Sequence, residues 1–215
     1  MFTPENYQDS KEYNAFMELF DDLAIPRTIL SYELFIALYE FSLHFIKKLE
    51  HDTRSLKIKN SEDLLKIISL SDLFDPENEI TKHALGEIKR YLRFEIHNRQ
   101  YRYGEPIYNG FNDDRPFNIK RRIIFVILEY ILAEIFEFLP RNEVDVDEVD
   151  FVPTFITLND LMEVLNGDEE LNSIFRVLKV DKRVKLLLKQ YKYHNSESDE
   201  RRYIPDDILD TIFEF

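Results

Sequence analysis

The chain has 215 residues and a net charge of -14, from 42 Asp and Glu against 28 Lys and Arg. It contains no Cys, which excludes disulfides and thiolate-held zinc and points to an intracellular compartment. Only 4 Gly and 8 Pro argue against an all-β fold of tight turns, and no apolar run approaches the ~18 residues of a membrane span.

Residues 11–23 (KEYNAFMELFDDL) place Tyr13, Phe16, Leu19 and Phe20 at helical intervals and predict a short amphipathic helix. Pro26 and Arg27 lie in a connection, and Thr28 is the expected N-cap or first-turn residue of a long helix ending near His51. Its stripe is Leu30, Leu34, Leu38, Phe41, Phe45 and Leu49. A polar loop, 52–60, holds Arg54, Lys57 and Lys59. Ser61 then reads as the N-cap of a second short helix through Leu64 to Leu70.

Asp75-Pro76-Glu77 opens another helix, with Ile80, Ala84, Ile88, Leu92 and Ile96 on one side. Residues 99–118, with Gly104, Pro106, Gly110 and Pro116, predict an irregular loop. A second long helix follows over about 119–138, with Pro140 as its stop. An acidic loop over 141–155 leads to Thr157, a candidate N-cap, and a short helix over 158–165. The order of short, long and short helix thus occurs twice. Beyond it, 179–192 is a basic helical run that suits either DNA contact or a solvated face over an apolar stripe, and 206–215 predicts a final helix.

A short–long–short unit cannot bury both faces of its long helix, but two such units packed together can. The letters agree with that arrangement. LEYILAEIFE and ITLNDLMEVLNGDEELN resemble the long-helix and third-helix regions of histone 2A, over about 119–139 and 155–175. RSLKI and SEDLLKIIS, followed by DPENEITKHA, resemble the second loop, third helix and start of the C-terminal helix of histone 2B, over about 54–90. The order, 2B-like then 2A-like, is similar to the fused histone doublets of giant DNA viruses.

The resemblance implies an all-α fold with two histone folds in one chain, paired as an intramolecular pseudo-dimer. It implies a 2B-like unit over 1–76, a connecting helix over 77–98, a 2A-like unit over 99–178 and a C-terminal extension over 179–215. The connecting helix serves as the 2B-type C-terminal helix, the 2A-type first helix, or both. The chain departs from the family in lacking basic tails, in an enlarged loop after residue 98, and in an acidic loop at 143–150.

Two surfaces follow from the resemblance. The first is an acidic patch of Glu129, Glu134, Glu137, Asp168, Glu169 and Glu170, joined by Glu79 and Glu87. It would take Arg-bearing basic peptides, because a guanidinium pairs with a carboxylate through two parallel hydrogen bonds. The plainer reading is a set of ordinary solvated helix carboxylates. The second is a DNA-binding end, where Arg54, Ser55, Lys57 and Lys59 meet Arg115, Lys120, Arg121 and Arg122. About four to six neutralised phosphates would give a log–log salt slope near -0.9 per contact. The plainer reading there is scattered solubilising charge.

The opposite end, pairing Pro26 and Arg27 with the acidic loop, should repel DNA, and Phe155 stands where the family uses an Arg. The expected partners are therefore double-stranded DNA, bound through its backbone without sequence readout, and a histone 3–4-like doublet or histones, with no membrane. The expected place is a virion, a host nucleus or a viral factory. An acidic binding module that pairs with or mimics histones, without wrapping DNA, is the alternative.

No other chemistry is legible. Asp145, Asp147 and Asp150 lack the Gly and distal Glu of a calcium loop, and the five His show no ligand spacing. No nucleophile–base pair suggests an enzyme, and neither a cofactor nor a metal is expected.

Overall fold

A computed structural model describes residues 2–23, 25, 28–96, 104–111, 118–140 and 154–178, with backbone only at 94–96. Among them the architecture is all-α apart from two three-residue strands. The elements are α1 (Lys11–Asp22), β1 (Thr28–Leu30), α2 (Tyr32–Asp52), α3 (Ser61–Ser69), α4 (Glu79–Ile96), α5 (Glu105–Phe111), α6 (Ile119–Phe138), β2 (Thr154–Ile156), α7 (Leu158–Gly167) and α8 (Glu169–Val177).

The helix starts are written in short polar side chains. The Ser10 hydroxyl accepts from the Tyr13 N–H and opens α1, and Ser31 accepts from Leu34 and opens α2. Asn60 and Asp63 form a capping box at α3, where Ser61 is the first helical residue rather than the cap. Asn118 caps α6. At α7 the Asp160 carboxylate accepts from both the N–H and the hydroxyl of Thr157. Each such cap satisfies donors that have no partner within the helix.

Two expectations are corrected here. Thr28 does not begin the long helix: it starts β1, which pairs in parallel with β2 in the register Thr28 to Thr154 and Leu30 to Ile156. β-Branched Thr28 and Ile29 suit an extended segment, and Ser31, a far better cap than Leu30, sets the helix start three residues on. The segment 99–118 is not wholly irregular, because residues 105–111 form α5. Pro106 sits in the first turn of that helix, where its missing N–H costs nothing.

The two long helices are the centre of the molecule. Phe16 of α1 touches both Phe35, near the start of α2, and Phe136, near the end of α6. At the other end, Arg121 near the start of α6 bonds Glu50 near the end of α2. The pair therefore runs antiparallel. Short helices cross between units: α3 touches α6, and α7 touches α2 and α6. α4 lies along α6, and α5 packs against α1 and α6. α4 also packs on α3, so it bridges α3 and α6.

The core is aromatic. Phe20 stacks on Phe136 at 4.1 Å, and Phe41 stacks on Phe175 at 4.1 Å, so α1 is glued to α6 and α8 to α2. Phe16, Phe35, Phe41, Phe45 and Phe125 are completely buried. No helix among the described residues is long and apolar enough to cross a membrane.

Candidate functional site

Three of the expected acidic residues, from three helices, gather around Tyr130: Glu87 from α4, Glu134 from α6 and Glu170 from α8. Burial first, then the neighbouring Glu134 carboxylate and the charges of Glu87 and Glu170, hold the Tyr130 hydroxyl well above the ordinary phenol range. The His83 ring meets Tyr130 edge-on at 6.4 Å.

Each carboxylate has a distinct role in the structure. Glu170 accepts the N–H of Glu79 at 3.1 Å and the N–H of Ile80 at 2.9 Å, so α8 supplies the cap for α4. Glu79 pairs with Lys82 at 2.8 Å, and that hydrogen bond is the main reason its carboxyl lies below the usual range. Glu87 pairs with Arg90 at 2.6 Å through Oε1, while its buried Oε2 makes no hydrogen bond among the described residues. Burial raises the Glu87 carboxyl above its ordinary value. Asp168 caps α8 by accepting from Leu171, and Glu169 and Glu137 are exposed.

Glu129 does not belong to this face. It is 8% exposed, and its carboxylate accepts the N–H of Gly104 at the start of α5. Burial is the largest influence on it and pushes its carboxyl up to about 7. Helix geometry explains the separation. At about 100° per residue, Tyr130, Glu134 and Glu137 share one face, while Glu129 lies about 140° from Glu134. That face instead carries Arg122, seven residues earlier, and both side chains reach the Gly104 peptide.

The basic end is smaller than expected. Arg54, Ser55, Lys57 and Lys59 are exposed on the loop after α2. Lys120 reaches across from α6 and donates to the Thr53 carbonyl at 2.9 Å, so this loop and the start of α6 do lie side by side. Arg121, however, is buried, pairs with Glu50 at 2.9 Å and lies over the Phe125 ring. It is a core ion pair rather than a phosphate ligand. Arg122 is half-buried, sits 4.7 Å over the Tyr108 ring and donates to the Gly104 carbonyl at 3.2 Å. Both are removed from the DNA-facing set by the same cause: α6 is enclosed on most sides, so its first-turn cations turn inward. A cavity of about 360 Å³ opens nearby between Ile58, Lys59, Leu64, Leu92 and Ile119.

Arg115, Pro26, Arg27, the loop 143–150 and the segment 179–215 lie outside the described residues. Phe155 is exposed on β2, paired with Ile29. His44 Nδ1 lies 3.3 Å from the Leu178 carbonyl. No group of His, Cys, Asp or Glu that could hold a metal ion occurs among the described residues.

Sequence reasoning missed Tyr130, the centre of the acidic face, and Glu50, the partner of Arg121. The signal for Tyr130 was available, since it sits one helical turn before Glu134. Glu50 is adjacent to Arg121 only through tertiary packing and left no local trace.

Neither family models, nor curated proteins, nor solved structures gave a match to this chain.

Proposed function

We propose that the chain is a fused pair of histone folds, of the 2B-then-2A kind, serving as one component of a nucleosome-like particle that packages viral DNA. The observation that carries this reading is the way the two units close on each other. The strand before one long helix pairs in parallel with the strand after the other. At the far end, Lys120 at the start of the second long helix holds the Thr53 carbonyl just after the first, and Arg121 bonds Glu50 in the last turn of the first. This reciprocity is what the likeness to histones leads one to expect of two handshaking units.

On this reading DNA meets one end, through Arg54, Lys57 and Lys59 with Lys120 beside them. With Arg121 and Arg122 turned inward, about three to four phosphate contacts remain, for a log–log salt slope of about -3 to -4. The partner is a histone 3–4-like protein. The test is nuclease footprinting of the reconstituted mixture at low salt, with Lys57→Glu/Lys59→Glu as the comparison. Protected DNA that is lost in the charge-reversed variant supports the reading, and no protection at low salt refutes it.

One observation favours the second reading, an acidic module that captures Arg-bearing peptides without wrapping DNA. The carboxylates of Glu87, Glu134 and Glu170 come together from three helices, whereas the basic end turns two of its guanidinium groups inward. Tight binding of an Arg-anchored peptide, abolished by Glu134→Lys, with no mobility shift of DNA under any partner, selects this reading over the first.

A further inference from the structure

Gly104 is held on both sides by one face of α6. Its N–H donates to Glu129 and its carbonyl accepts from Arg122 at 3.2 Å. Its φ of 69° lies in the left-handed region, and a Cβ there would come within 3.0 Å of Val126 Cγ2, so only glycine fits this close approach. The other end of α5 is anchored differently. Gly110 lies flush against α1, where an added Cβ would come 2.5 Å from that of Ala15, and Phe111 packs on Phe16 at 5.6 Å.

We propose that the Glu129–Gly104–Arg122 contact is a proton-operated latch on the first turn of α5. The neutral carboxyl is the less costly form in this buried place: one oxygen accepts from Gly104, and no charge is taken out of water. The ionised form does not. Its Oε2 makes no hydrogen bond among the described residues. The charge of Asp22, at the end of α1, opposes it, while Arg122 on α6 and the backbone of Gly104 and Ile107 on α5 favour it. A buried ionised oxygen without a donor is costly, and water is the available donor. Water reaches it when the first turn of α5 lifts away from α6. The Gly110 and Phe111 anchor confines that movement to the N-terminal end of the helix. Burial outweighs the favourable groups and pushes the carboxyl up to about 7, which puts the transition in the neutral range.

The test is hydrogen exchange at the backbone amides of Gly104 and Ile107, followed from pH 5 to pH 8.5 on the full chain and corrected for intrinsic exchange. A carboxyl-carbon NMR titration of Glu129 runs alongside. The expected result is protection that falls at least tenfold through the same midpoint as the Glu129 titration, near neutrality. Glu129→Gln, which stays uncharged, keeps high protection across the range. Titration of Glu129 below pH 5 overturns the latch, as does flat protection in the wild type or an unchanged pH response in Glu129→Gln. The wild-type titration and exchange profile together decide the matter even where the variant does not fold.

Discussion

Replacing Glu129 by Gln should change how global stability depends on pH. The folded carboxyl lies at about 7 against an ordinary value of 4.5. A raised acid pKa means that the folded state binds the proton more tightly than the unfolded chain. Stability is therefore undiminished below about pH 4.5, falls as pH rises to about 7, and is level above that. At 1.36 kcal/mol per pKa unit, the full shift corresponds to about 3 kcal/mol of destabilisation at alkaline pH. Gln removes that penalty but introduces an NH₂ group needing a partner, at about 1 kcal/mol. Near pH 5 the variant should equal the wild type or fall slightly below it. At pH 8 it should be more stable by about 2 kcal/mol. Urea unfolding followed by circular dichroism at four pH values reads this directly. The quantity of interest is the difference between the two proteins, because the many other carboxylates contribute equally to both. A constant difference from pH 5 to pH 8 would refute the assignment of Glu129 as a buried neutral acid.

Three further outcomes test the packing. Arg121→Ala should cost about 2–4 kcal/mol in urea unfolding, since it removes a buried guanidinium paired with Glu50 and opens space beside Phe125; a loss under 0.5 kcal/mol would return Arg121 to the surface set. Glu170→Gln should cost about 1 kcal/mol, as the charged cap on the first N–H groups of α4 is weakened. Phe20→Ala should cost about 3–5 kcal/mol, because the ring is fully buried and stacked on Phe136; thermal melting resolves a change of that size.

The helices were legible because apolar residues recur at helical spacing; of the starts, Thr157 was legible as a cap, while Ser10, Ser31, Asn60 and Asn118 were not. The strand β1 was not, since three residues cannot show a period and its partner β2 is distant in the chain. The acidic face was half legible: Tyr130, Glu134 and Glu137 announce one helix face, yet the place of Glu129 on another required counting angles rather than charges. Burial of Arg121 and Arg122 was hidden for a different reason. A run of KRR at a helix start looks solvated until the helix is known to be covered on most of its circumference.

The parallel pairing of β1 with β2 also bears on how the chain is made. Thr28 emerges from a ribosome long before Thr154, its partner, and α2 must wait for α6 before its apolar face is covered. The segment from α1 to α3 therefore cannot finish folding alone, and the chain must extend past β2 before the core closes. Such long-range pairing slows folding and leaves a nascent, aromatic-rich half exposed meanwhile. Because α2 and α6 belong to one chain, the covering helix always arrives on the same molecule and no search for a partner is needed.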